Sequence, residues 1–172
     1  MALPDESPRR PATDAEARAL ASGLRLQILR LTLDEPLTNK EIAEKVGRNP
    51  ASVLHHVRTL VDTGFLRAEP VRRGTRGSRE VPYRATGKSW RLDVPGVGQA
   101  VLAAFLAEAE QVPAEQLETS RLGLRLTGDE VAELRRRLDD LLEEFRSRPA
   151  APDAEAWSLF VALHPDAGRR TG

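Results

Sequence analysis

Residues 38–66, TNKEIAEKVGRNPASVLHHVRTLVDTGFL, read as a short helix, a tight turn and a second helix closed by a glycine stop. Thr38 is placed to cap the first helix, and Glu41 stands three residues on, at the capping-box spacing. Ile42, Ala43 and Val46 recur at helical spacing and give that helix one apolar face. Ala43 is small where a second helix must cross closely. Gly47 falls at the turn, where glycine tolerates a positive φ. Asn49 then caps and Pro50 takes the first helical position, a pairing that starts a helix well. Val53, Val57, Leu60 and Val61 make the buried stripe of the second helix. Gly64 is placed to end it in a left-handed cap.

Two helices joined by such a turn form a helix-turn-helix, whose second helix enters the DNA major groove. Beyond Gly64, residues 65–71 and 81–85 read as two strands. Between them RRGTRGSR, residues 72–79, makes a flexible hairpin tip with four arginines. A helix-turn-helix followed by a two-stranded ribbon is a winged helix. Its wing is placed to follow the sugar-phosphate backbone or enter the minor groove. Arginine suits that role because it bonds phosphate bidentately and is attracted to a narrow groove.

Outward from this centre, residues 1–11 carry three prolines and no periodicity and read as a disordered tail. Residues 12–22 read as a helix capped by Thr13 or Asp14, and residues 24–33 as another. Residues 88–92 add a short element, with Trp90 as a core or interface anchor. Pro and Gly punctuate residues 93–98, so the winged domain is assigned to 12–92 and a dimerisation or effector region to 93–172. In that region residues 97–111 form a strongly apolar helix, expected to be buried, with Val101, Leu102, Phe105 and Leu106 as a stripe. These four, with Leu20 of the first helix, are the expected dimer contacts. Leu122, Leu124 and Leu126 alternate at strand period, Thr127–Glu130 is another capping box, and Val131, Leu134, Leu138, Leu141 and Phe145 make a helical stripe. Trp157, Leu159, Val161 and Leu163 alternate again, which suggests a βαβ unit. Two strands alone bury their faces poorly, so the unit needs another element or another subunit. The fold class expected is α+β, mainly α.

Composition sets the broader class. Charged residues are 30% and hydrophobic residues 40% of the chain, ordinary for a soluble globular protein. The absence of cysteine excludes disulfides and thiolate metal sites and is compatible with the cytoplasm. The first residues lack the apolar core of a secretory signal, and the longest apolar runs are far too short to span a bilayer. The formal net charge is zero, yet residues 1–92 carry 17 Lys and Arg against 11 Asp and Glu, and residues 93–172 carry 9 against 15. The basic excess is concentrated in residues 48–91, with 10 cations against 3 anions. That segment coincides with the helix-turn-helix and wing, so an anionic partner is expected there.

The segment ALASGLRLQILRL…LTNKEIAEKVGRNPASVLHHVRTLVDTGFLRAE, residues 19–69, resembles the ArsR-type winged-helix transcriptional regulators. The matching pieces are the Leu-Arg-Leu-x-Ile-Leu helix, Ile-Ala-Glu-x-Val-Gly in the first helix, and Ser-Val-x-His-His-Val-Arg-x-Leu in the second. Gly-Phe-Leu then leads into an arginine-rich wing. The resemblance implies a homodimeric repressor on a near-palindromic double-stranded operator; control by a small-molecule effector is a separate expectation. It departs from the metal-sensing branch, whose cysteine motif would fall in residues 38–46. His164 with Asp166 offers only two ligands, which do not define a metal site.

Helical phase turns Ala51, Ser52, Leu54, His55, Arg58 and Thr59 toward the groove. Arg58 can read guanine or grip a phosphate, and His55 offers a ring nitrogen. Arg48 and Asn49 at the mouth of this helix meet phosphates, helped by the helix N-terminus. Thr38 is assigned to the same surface. On the wing the contacts are Arg72, Arg73, Thr75, Arg76 and Arg79. His56 lies nearer the core edge and reads as structural. Adjacent helical residues point about 100° apart, so His55 and His56 cannot readily share one ion. No nucleophile–base–acid set and no phosphate-binding glycine loop is visible, so neither an enzyme nor a cofactor site is expected. The competing readings are an architectural nucleic-acid-binding protein and a protein-interaction module without an operator. An effector pocket between the residue-97 helix, the residue-131 helix and the residue-157 strand competes with an ordinary dimer core.

Overall fold

The computed structural model describes residues 9–74, 77–151 and 153–169. They fall in two compact units, one within Glu6–Leu117 and one within Glu118–Gly172.

In the first unit, β1 (Arg10–Pro11) leads into α1 (Asp14–Leu20), α2 (Gly23–Leu31) and β2 (Leu37–Thr38). The helix-turn-helix follows as α3 (Asn39–Lys45) and α4 (Pro50–Asp62). Then come β3 (Leu66–Ala68), β4 (Arg72–Arg73), β5 (Arg79–Glu80) and β6 (Pro82–Ala85). A 3₁₀ turn at Lys88–Arg91, β7 (Leu92–Asp93) and α5 (Gly98–Ala109) complete the order.

Local signals position these helices. Thr13 and Thr38 each cap a helix in a complete capping box, with Glu16 and Glu41 returning the bond. Asn49 caps α4 through Ala51 N at 2.8 Å, with Pro50 at its first position. Gly47 turns the chain between α3 and α4 at φ +61°, and Gly64 ends the run after α4 at φ +74°. A side chain at either would be strained.

The core lies where α1, α2, α3 and α4 meet the start of β3. Ile28, Ile42, Val53, Val57, Leu60, Phe65 and Leu66 are essentially closed to solvent. Each such side chain contributes about 1.5–3 kcal/mol over its exposed state. Strands β2, β6 and β3 form an antiparallel sheet in that order, with Leu37 opposite Tyr83 and Leu66 opposite Ala85. The winged-helix expectation therefore holds, with an added strand, β2, that precedes α3. Its two residues are too few to show alternation. Beyond Ala68 the ribbon continues as the separate β4–β5 pair, Arg72 opposite Glu80 and Arg73 opposite Arg79.

Four expectations are corrected. Arg10–Pro11, assigned to a disordered tail, pairs in parallel with Leu92–Asp93, and Ala12 N donates to Asp93 O at 3.0 Å. Leu20, assigned to a dimer contact, is 3% exposed within the core of its own chain. The unit boundary falls at Leu117/Glu118 rather than at 92/93, because α5 packs on α2. Gly23 at the start of α2 makes the close approach: a Cβ there would lie 3.6 Å from Ala100 O, Ala103 Cβ and Ala104 N. Arg30 adds an ion pair to Glu108 at 3.8 Å. Ala104 is the buried residue of α5, while Val101 and Leu106 are exposed and Leu102 and Phe105 half-buried. The helix expected to be buried on most of its circumference is thus buried along a narrow alanine edge.

The fourth correction concerns the second unit. Its α6 (Gly128–Ser147) forms as expected, with the Thr127–Glu130 capping box complete. The flanking segments expected as strands form no ladder among the described residues. Leu122, Trp157 and Leu159 are each at least three-quarters exposed. Their alternation is a strand pattern, but a strand needs a neighbour, and among the described residues the βαβ unit has none.

Candidate nucleic-acid interface

Helix α4 is held from behind by Val53, Val57 and Leu60, all fully buried. The opposite face carries Ala51, Ser52, His55 and Arg58, all exposed. Arg48 and Asn49 are exposed at its N-terminal mouth. Asn39 Nδ2 donates to Pro50 O at 2.9 Å and ties the start of α3 to the start of α4. This surface presents one hydroxyl, one imidazole and two guanidinium groups on a helix held from behind, which suits base edges and phosphates.

The remaining expected α4 contacts are less available. Leu54 and Thr59 are half-buried, and Thr59 Oγ1 donates to His55 O at 3.0 Å. Thr38 is corrected outright. It is 4% exposed, its hydroxyl accepts from Glu41 N and donates to Glu41 Oε2, and it serves the cap of α3. His56 is half-buried as expected, with Nδ1 3.4 Å from Arg25 Nη1. Burial, then the charges of Arg25 and His55, lower its pKa. The two histidine rings stand at 68° to each other with centroids 5.7 Å apart, a splayed pair that does not converge on one point.

On the wing, Arg73 and Arg79 face each other across the β4–β5 ladder and are exposed. Arg72 is different. Its Nη2 bonds Glu41 Oε1 at 2.5 Å and its Nε lies 3.9 Å from Glu80 Oε2. It therefore fastens the wing to α3. Thr75 and Arg76 lie outside the described residues.

Sequence reasoning missed the device that braces this surface from below. Glu16 is 5% exposed and accepts from Arg10 Nη1 and Nη2 at 2.9 and 2.7 Å and from Thr13 N at 2.8 Å. Lys88 Nζ lies 2.6 Å from Glu16 Oε1, the oxygen that also accepts from Arg10 Nη2, and donates to Thr63 O, just past the end of α4, at 2.7 Å. Lys88 also stands over the Phe65 ring at 5.2 Å. The Arg10 and Lys88 bonds, with Thr13, hold the Glu16 carboxyl well below the usual range. The capping-box spacing from Thr13 placed Glu16 on the helix start, but nothing local in sequence reveals cations arriving from residues 10 and 88.

Residues 20–69 match the family model described as a helix-turn-helix domain. That segment contains the α3–turn–α4 unit described above. It spans α2 through β3 and includes every α4 residue named above. No curated protein matches the chain. Among solved structures, a mutant of ZitR from Lactococcus lactis is 22% identical, with 72% of this chain and 75% of that one covered and a TM-score of 0.33. A mutant of MepR from S. aureus is 17% identical over 71% and 77% at a TM-score of 0.33. An S. aureus MepR–DNA complex is 15% identical over 77% and 80% at 0.29. At these scores the chain's own geometry carries the argument. Among the described residues no helix is long and apolar enough to cross a membrane.

Proposed function

We propose that this protein is a DNA-binding transcription regulator, an ArsR-like homodimeric repressor of the branch that does not sense metals. Helix α4 reads a specific operator in the major groove, and the wing lies on the backbone or in the minor groove. The observation that supports this best is the two-faced α4. Val53, Val57 and Leu60 lock it into the core, while Ser52, His55 and Arg58 project outward, and Arg48, Arg73 and Arg79 are exposed in the same unit. A rigid helix with one groove-sized polar face and flanking guanidinium groups matches both requirements of recognition. Phosphate contacts set register and base contacts set sequence.

Arg48 and Asn49 sit at the N-terminal mouth of α4, where the helix dipole favours a phosphate. Ser52 is small enough to let the helix approach the base edges, and Arg58 is long enough to reach a guanine. The deciding experiment is selection of bound duplexes from a random pool by the full chain. One enriched near-palindrome supports the reading and gives the half-site spacing. Retention without sequence enrichment indicates an architectural protein. No retention at physiological salt indicates a protein-interaction module.

A further inference from the structure

The second unit carries an apolar helix face that the described residues cover only in part. Helix α6 is 20 residues long and buries none of its side chains. Val131, Leu134, Leu138, Leu141 and Phe145 follow one another at spacings of three and four. These are five successive a and d positions of a heptad, with leucine at both d positions. Leu141 is 49% and Phe145 58% exposed, with Arg148 3.8 Å over the Phe145 ring, and Val131, Leu134 and Leu138 are half-buried. A seam of this period fits another helix of the same period.

The charges beside the seam select the occupant and its direction. With Val131 at a, Glu130, Arg137 and Glu144 take g, and Arg135 and Leu142 take e. Elsewhere on α6, Arg136, Arg137 and Arg146 each hold a carboxylate of the same helix, Asp140, Glu133 and Glu143. Arg135 makes no ion pair among the described residues. Glu130 uses Oε2 for its cap. In a parallel, in-register pair, g of one helix meets e of the following heptad in the other, so Glu130 opposes Arg135 of a second copy, twice by symmetry. An antiparallel pair centred on the seam would instead set Arg137 beside Arg137 and Glu130 beside Glu144, like charge against like.

We propose that two copies of this chain join along α6 as a parallel two-stranded coiled coil. Exposed Leu122, Trp157 and Leu159 of the same unit extend the buried area, since a helix of under three heptads is short for a stable pair. The inference rests on the homodimeric reading above and puts the pairing surface on α6, where the sequence suggested α5. It also gives the missing neighbour of the strand-patterned segments a source, the second copy.

The chain has no cysteine, so each engineered thiol is the only one. The test uses the full chain as Val131→Cys and Phe145→Cys, each oxidised mildly and run without reductant. A parallel pair brings each cysteine against its own copy, and both variants are expected to cross-link. Adding Leu138→Glu is expected to weaken dimerisation of the unmodified chain by ~10-fold or more in sedimentation velocity. Circular dichroism checks that the winged unit stays folded. A dimer in which neither cysteine cross-links overturns the α6 assignment and leaves the dimeric reading standing. Cross-linking only when the two variants are mixed overturns the parallel arrangement. A wild-type chain that stays monomeric at high concentration overturns both. None of these readouts uses DNA, so loss of DNA binding would bear on the operator reading alone.

Discussion

Arg72 on the wing and Glu41 on α3 are joined by a 2.5 Å ion pair. The other oxygen of the same carboxylate accepts from Thr38 N at 2.8 Å and closes the cap of α3. One side chain thus sets the start of the helix-turn-helix and anchors the base of the wing. The two jobs separate by mutation. Arg72→Ala removes a pair whose side chains are 44% and 38% exposed, so its effect on stability is expected within ~1 kcal/mol. Glu41→Ala also removes the reciprocal half of the capping box, the bonds its carboxylate accepts from Thr38 N and Oγ1, while the backbone N of residue 41 still donates to Thr38 Oγ1, and it is expected to cost about 0.5–1.5 kcal/mol more. Chemical denaturation of both variants checks this. Equal losses in the two would sink the division of roles. The Thr38 bond and then Arg72 hold the Glu41 pKa below its ordinary value. Its contribution is therefore complete above that ordinary value and is lost as pH falls through the lowered one.

How far the sequence was legible follows from where each signal lives. The α3–turn–α4 unit was readable because Thr38, Gly47, Asn49, Pro50 and Gly64 are local determinants, each acting within a few residues. The exposed α4 residues followed from phase alone. Thr38 was misassigned because a threonine that caps and one that contacts phosphate look the same until its burial is known. The Arg72–Glu41 pair was not legible because the two residues stand 31 apart in the chain. The α5 helix was read as a dimer surface because it is apolar nearly all round. The feature that seats it within its own chain is the small size of residue 23 opposite Ala100, Ala103 and Ala104. The alternation around Leu124 and Leu159 was real, but periodicity records which residues face together and not which chain supplies the neighbouring strand.

Arg58 and Arg79 should separate base reading from backbone grip. Arg58 projects from the outer face of α4, and Arg79 lies on the exposed wing ladder. Arg58→Ala is expected to cost ~1–3 kcal/mol on the selected duplex and to relax preference at one position. Arg79→Ala is expected to weaken all duplexes alike and to reduce the slope of log K against log salt by about 1. Fluorescence anisotropy titrations over a salt series measure both. A loss at Arg58 that is equal on selected and random DNA would make it a phosphate contact.

Glu16 should be the most pH-sensitive carboxylate of the winged unit. It is buried, bonded by Arg10 and Lys88, and its pKa lies well below the ordinary 4.5. A lowered folded-state pKa means that the stabilisation is fully present above pH 4.5 and fades as pH falls through the folded value. Glu16→Gln keeps the shape but loses the charge, and is expected to destabilise by about 2 kcal/mol at neutral pH. The gap between wild type and variant should then narrow as the solution is acidified below the ordinary carboxylate value. Urea midpoints across that range give the curve. A gap that stays constant with pH would mean that Glu16 acts by packing alone.

The seat of α5 on α2 can be tested at Gly23, which is closely covered by Ala100, Ala103 and Ala104. A Cβ there meets all three at 3.6 Å, ordinary van der Waals contact, so Gly23→Ala has room. It also restricts the unfolded chain, and a gain of up to ~1 kcal/mol is expected. Gly23→Leu has no such room. Its γ and δ carbons would enter the α5 backbone, and the helix must lift away or the leucine must strain. A loss of about 1–3 kcal/mol is expected, with greater hydrogen exchange along α5 and little along α4. If leucine is accepted with α5 still protected, the close approach of the two helices is not what holds α5, and the Arg30–Glu108 pair becomes the next contact to remove.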